Sequence, residues 1–154
     1  MAKEPQYPGP LSLADAKTKL MVTRLTEASF HREGPRSNVE YRDLGLAAAT
    51  AGRVDAKHIR AIRPFDKETG WHWHDMTGHF VYVLKGWLKF RFDGVESDVM
   101  VEAGSCISQP AGVPHNVVGQ SDDLEIIEIN LPAEYGTFDC PSEPDGRRKA
   151  TVNS

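Results

Sequence analysis

From residue 58 onward the hydrophobic positions fall in short runs rich in Val, Ile, Phe, Tyr and Trp. Turn residues separate the runs at intervals of about ten, the spacing of an all-β chain. The clearest unit is a run over 80–84, then Lys85-Gly86, a second run over 87–92, and Asp93-Gly94. Asp-Gly favours the tight type I′ hairpin turn, so two successive antiparallel strand pairs are predicted here. Runs over 99–102, 106–109, 116–119 and 124–131 supply further strands. Eight or so strands close most economically as a two-sheet jelly-roll β-barrel, which leaves few exposed edges.

Helical signals are sparse. Residues 13–20 follow Ser12, a good N-cap, and include Ala-Asp-Ala-Lys, which predicts a short N-terminal helix. Residues 45–51 form a small-residue stretch that predicts a single helical turn before Gly52. Neither is long enough to make a helical core. Three prolines fall in the first ten residues, and 140–154 hold Pro, Gly, Ser and charge. The chain therefore divides into an N-terminal arm (1–20), a barrel domain (21–139) and a polar C-terminal tail (140–154), with both ends expected to hang loose or lie across a neighbour.

Composition narrows the function. The 154 residues are 40% hydrophobic and 26% charged, which describes one ordinary domain, too short for separate cofactor and substrate domains. A net charge of −4 gives no footprint for a phosphate backbone, since the only basic run is Arg147-Arg148-Lys149 in the tail, so no nucleic-acid partner is expected. No apolar run approaches the ~20 residues that cross a bilayer, and the first residues lack the apolar stretch of a secretion signal. A cytoplasmic protein with no membrane partner is expected. Cys106 and Cys140 are too few for a disulfide framework and read as reduced structural thiols.

Six histidines stand in the chain, at 31, 58, 72, 74, 79 and 115. In a strand, residues two apart project to one face, so His72 and His74 would form a bidentate metal clamp. His79 is five after His74 and would face the other way unless the strand breaks, which Asp75-Met76-Thr77-Gly78 can do. His79, Val81 and Val83 would then share one face. His115 ends Pro110-Ala111-Gly112-Val113-Pro114-His115, where two prolines and a glycine set a bend that positions a ligand at little entropic cost.

These segments resemble the paired motifs of the cupin superfamily. The first family motif is His-x-His, three or four residues, Glu, six residues, Gly; here it reads His72, His74, four residues, His79, six residues, Gly86. The second is Gly, five residues, Pro-x-Gly-x-x-His, three residues, Asn; here it reads Gly104, five residues, Pro110, Gly112, His115, three residues, Gly119. The resemblance spans about residues 58–131. It implies a β-barrel with one divalent transition metal inside, Fe2+ foremost and Zn2+ or Ni2+ next, and a homodimer. By position His72, His74 and His115 carry over as ligands. His79 occupies the glutamate position, giving either a four-histidine site, the favoured reading, or a three-histidine site with His79 turned aside to hydrogen-bond.

Imidazole in place of carboxylate raises the net charge of the site by one unit, so the pocket should favour anions. Two open cis positions would suit a bidentate enolate from a β-dicarbonyl or an α-hydroxy ketone. The resemblance to quercetin- and acetylacetone-cleaving dioxygenases then implies carbon-carbon cleavage of a small enolisable carbonyl compound, with O2 or with water as co-reactant. Either route needs a base near the metal. Glu128 is the catalytic candidate if the face that alternation gives it with Ile126 and Asn130 is inward, although a solvated or edge-strand place is the expectation for a charged side chain. Arg60 could hold an anionic substrate if the face it shares with His58 is inward, although exposure is the expectation for both. Trp73 should point away from the metal and pack. The rival reading is a non-catalytic small-molecule-binding barrel with a structural or ligand-anchoring metal.

Overall fold

The computed structural model describes residues 2–26 and 29–140. In chain order its elements are β1 (Val39–Asp43), α1 (Leu46–Ala49), β2 (Asp55–Ala61), β3 (His72–His74), β4 (Gly78–Lys85), β5 (Trp87–Phe92), β6 (Val99–Glu102), β7 (Cys106–Ser108), β8 (His115–Gln120), β9 (Glu125–Leu131) and β10 (Thr137–Asp139). Two five-stranded antiparallel sheets face each other, ordered β1-β2-β9-β4-β7 and β10-β3-β8-β5-β6. This is the jelly-roll that the run spacing predicts.

Alternation along each strand builds the core. Val39 and Tyr41 of β1, Ile59 of β2, Val81 and Val83 of β4, and Ile126 of β9 turn inward from the first sheet. Leu88, Phe90, Phe92, Val101 and Val117 meet them from the second. Each such side chain, fully buried, contributes roughly 1.5–3 kcal/mol of transfer free energy. That packed layer holds the inner faces of β3, β4, β8 and β9 at fixed positions, which is what a site on those strands requires.

Three local expectations are corrected. The runs on either side of Lys85-Gly86 do not pair with each other: β4 is flanked by β7 and β9, and β5 by β6 and β8. Gly86, at φ 75°, is instead the corner where the chain changes sheets, and a Cβ there would lie 1.9 Å from Ser121 Oγ. After β5, the pairing with β6 holds, but six residues intervene and only Gly94 takes positive φ, so the turn is not type I′. In the arm, the predicted helix over 13–20 reduces to a turn in which the Asp15 and Ala16 amides donate to the Ser12 carbonyl. Leu13 and Leu20 stay exposed, so there is no apolar face to bury and nothing to offset the cost of helix nucleation. The helical turn predicted over 45–51 is present as α1. Of the predicted tail, residues 141–154 lie outside the described residues.

Candidate metal centre

β3 and β8 are neighbours, with His72 opposite His115, and His74 lies two further along β3 on the same inward face. The pairing converts the two sequence motifs into one cluster. Ring centroids are 4.5 Å apart for His72 and His115, 4.9 Å for His72 and His74, and 5.1 Å for His74 and His115. One ligand nitrogen from each of the three lies within 4.8 Å of the others. Trp73, on the opposite face, stacks on Phe138 at 4.5 Å.

Each of the three imidazoles has its Nδ1 taken by an oxygen. His72 Nδ1 is 2.8 Å from the Gly70 carbonyl, His115 Nδ1 is 3.0 Å from the Val113 carbonyl, and His74 Nδ1 is 2.9 Å from Thr137 Oγ1. A carbonyl only accepts, so Nδ1 of His72 and of His115 carries the proton, and Nε2 is left as a lone-pair donor. Outer partners that fix the tautomer in this way are a regular feature of metal-ligating histidines. Burial first, and then the neighbouring histidines, push His74 down to about 4. Burial likewise lowers His115 to about 4, against the opposing pull of its bond to Val113. Neutral rings with convergent lone pairs are the protonation state a divalent transition metal needs, so the donor set fits such an ion.

His79 is beside this group but differently engaged. The break at 75–77 turns it, with Val81 and Val83, into the barrel as expected. Its ring centroid is 5.2 Å from His74 and 6.0 Å from His115. Its Nε2, however, is 3.2 Å from Glu128 Oε2, on the adjacent strand β9, and 3.2 Å from the Gln109 amide. The carboxylate absent from the motif at position 79 is thus supplied from the neighbouring strand. Burial pushes the Glu128 carboxyl up, but the hydrogen bond and charge of His79, with help from Asn130 and Lys57, outweigh it and hold the group below its ordinary value. Glu128 faces the interior and remains ionised.

A cavity of about 440 Å³ opens over these residues, within the size range of small-molecule sites. Three of its lining residues carried no signal in the sequence. Thr137, on the three-residue strand β10, is the hydroxyl that holds His74. Tyr135 packs edge-on to His74 at 5.4 Å, and burial, reinforced by the Glu128 charge, pushes its phenol up to about 12, so it stays a hydrogen-bond donor. Arg36 reaches in from the loop before β1. Arg60, a candidate substrate contact only if its face were inward, is not part of the site. Ile59 is the inward residue of that stretch, so Arg60 faces the other way, ion-paired to Glu40 and 3.7 Å beneath the Phe30 ring. His58 shares that outer face and, contrary to the exposure expected, is buried against Glu125 at 3.1 Å.

Comparison with known proteins agrees with this architecture. The family model described as a cupin domain matches residues 59–130. No curated protein matches the chain. Among solved structures, the polyketide cyclase RemF from Streptomyces resistomycificus is similar at a TM-score of 0.60 and 21% identity, over 82% of this chain and 90% of that one. A predicted oxalate decarboxylase from Thermotoga maritima is similar at a TM-score of 0.59 and 23% identity, over 73% of this chain and 99% of that one. KdgF from Halomonas sp. follows at 0.52 and 16%, over 67% and 86%. With both histidine motifs, the jelly-roll and the matching model in register, residues 59–130 form a cupin domain.

Proposed function

We propose that the protein is a metal-dependent enzyme that cleaves a carbon-carbon bond of a small enolisable carbonyl compound of the β-diketone type. One divalent transition metal, with Fe2+ expected first, would be held by Nε2 of His72, His74 and His115. The observation that carries this reading is the contrast among the four histidines: three present a free Nε2 to a common point, and the fourth has its Nε2 committed to a carboxylate. The ligand set is therefore three histidines, and His79 is a positioning residue. When bound, the metal would act as a Lewis acid on the substrate oxygens.

The chain's own groups supply the rest. Glu128, ionised and inside the cavity, takes the acidic proton from the carbon between the two carbonyls. His79 donates Nε2-H to Glu128 Oε2 and aims it, while Asn130 Nδ2 donates to Oε1 at 3.4 Å, a long contact that restrains the other oxygen weakly. With His79 donating to Glu128, the Gln109 amide is best placed with its oxygen toward Nε2, which also provides a partner for a buried Oε1 that otherwise has none. Tyr135 keeps its proton and donates to the oxygen on which enolate charge develops. The fold likeness to a polyketide cyclase is in keeping with a substrate of several carbonyls.

An oxygen-electrode trace on acetylacetone, with substrate followed in parallel, tests the reaction. O2 uptake matching substrate loss places the enzyme with O2-dependent cleavage, and substrate loss without uptake places it with hydrolysis. A metal-loaded protein that consumes no β-diketone by either route contradicts the proposal.

A further inference from the structure

The segment Gly34-Pro35-Arg36-Ser37-Asn38 passes over the barrel mouth immediately before β1. It lies so close to the Tyr41 ring that a Cβ on Gly34 would be 2.3 Å from a ring carbon, so glycine is required there. The Arg36 amide donates to Tyr41 Oη at 3.2 Å, which fixes the backbone from which the guanidinium enters the cavity. Its Nη2 donates to Gln120 Oε1. Among the described residues it makes no ion pair, and no protein acceptor meets Nε or Nη1. Arg60 and Arg91, by contrast, are ion-paired, Arg60 with Glu40 and Arg91 with Asp98 at 2.8 Å.

Two more donors stand with it. Asn38 lines the same cavity and is 6% exposed, and its Nδ2 has no acceptor among the described residues. Gln120 is 5% exposed, its Oε1 is occupied by Arg36, and its Nε2 is likewise unpartnered. Buried polar groups without partners are rare and costly, and a guanidinium in a cavity wall with most of its donors unused amounts to a site for an acceptor that comes from outside the protein. Four carboxylates line the same cavity and none forms an ion pair with Arg36 among the described residues: Glu128 is held by His79 and acts on Arg36 only through its charge, Glu68 accepts from Asn116 Nδ2 at 2.9 Å, and Asp66 and Asp139 make no contact with it.

We propose that Arg36, braced by Gln120 and flanked by Asn38, forms a carboxylate-binding subsite in the wall of the cavity that also holds the three-histidine cluster. The subsite selects enolisable carbonyl substrates that carry a carboxylate at the end remote from the metal. This rests on the reading of the histidine cluster given above and names the substrate class for it. A planar guanidinium fork matches a carboxylate bidentately. Spacing sets the reach. His115 begins β8 and Gln120 ends it, five residues apart, at most about 17 Å of strand, with both side chains inward. A neutral diketone as short as acetylacetone leaves Arg36 unused.

The test is titration calorimetry of the Zn2+-loaded protein, in which redox turnover is absent, with acetylacetone and with 4,6-dioxoheptanoate, the same diketone extended by a carboxymethyl group. Wild type is expected to bind the carboxylate-bearing ligand about ten- to a hundredfold more tightly, the worth of hydrogen bonds to a charged group, and Arg36→Gln to lose that preference. Equal affinities in wild type, or a preference that survives in Arg36→Gln, overturns the proposal. Arg36→Lys keeps the charge without the fork and is expected to retain part of the preference; it carries the same comparison if Arg36→Gln does not fold. Should neither diketone bind, the metal-site reading fails, and glutarate with metal-free protein decides the subsite on its own. Thermal stabilisation of wild type by glutarate that is absent in Arg36→Gln upholds it, and no stabilisation overturns it. Inorganic phosphate displacing 4,6-dioxoheptanoate as well as glutarate does would make this a general anion site and overturn the carboxylate assignment.

Discussion

Strand β9 carries two histidine-glutamate pairs, one on each face of the first sheet. On the outer face Glu125 meets His58 of β2 at 3.1 Å, and on the inner face Glu128 meets His79 of β4 at 3.2 Å. The geometry is the same in both. Each histidine lies directly opposite a β9 residue, Ile127 for His58 and Asn130 for His79, and takes its carboxylate from two positions earlier. The two glutamates are three positions apart, an odd step, so alternation sends them to opposite faces. Only the surroundings differ. The outer pair is covered by Phe30, whose ring is 5.2 Å from His58, and packs beside Arg60. The inner pair faces a cavity and the His74 ring. A diagonal histidine-glutamate pair is therefore a structural device of this sheet, and it becomes chemical only where it opens onto the metal centre.

That contrast is breakable at several points. The largest effect is expected from Glu128→Gln, which keeps the shape of the inner pair and removes its base: kcat should fall about 10²- to 10⁴-fold with bound metal unchanged. A variant that loses its metal instead would make Glu128 a ligand. Next comes Thr137→Val, which deletes the hydroxyl on His74 Nδ1 and keeps the volume. Loss of such an outer partner should weaken metal binding about 10- to 100-fold, measured by competition with a chromophoric chelator; an unchanged affinity would show that β10 plays no part in ordering the ligand.

Acid should act on the metal-free protein through the same rings. His74 and His115 are depressed to about 4 in the folded state, against about 6.5 for an unperturbed histidine. Between those values the unfolded chain binds more protons than the folded one, so the stability associated with the neutral rings is present above pH 6.5 and is lost as pH falls toward 4. The melting temperature of metal-free protein is expected to be lower at pH 5 than at pH 7.5, and a profile flat across that window would contradict the burial of these rings. The smallest effect is on the outer pair. Glu125→Gln should cost about 1 kcal/mol of stability or less, since Glu125 is partly exposed, and should leave kcat and metal content as in wild type. A loss of turnover comparable with that of Glu128→Gln would erase the distinction between the two faces.

The features legible in the sequence are those with a period or a fixed spacing. His72 and His74 are two apart, the bend before His115 is written in Pro110, Gly112 and Pro114, and the break at 75–77 that restores His79 to the inner face is a run of turn residues. Those signals place all four histidines and the strands that bear them. The unread features depend on which strands meet. Lys85-Gly86 is a turn signal in any setting, and nothing local states whether the chain folds back on its own sheet or crosses to the other. Thr137 and Tyr135 reach His74 only because β10 pairs with β3, more than sixty residues away in sequence. Arg36 belongs to a loop whose path is set by packing on Tyr41. The outward face of Arg60 follows from Ile59, the apolar residue beside it, which claims the core.

The most direct test of the account is the metal content of untagged wild type, His115→Ala and His79→Ala. Three imidazoles with free Nε2 and a fourth committed to Glu128 predict one metal per chain in wild type and in His79→Ala, and none in His115→Ala. Loss of the metal in His79→Ala, or its absence from wild type, would contradict the three-histidine centre.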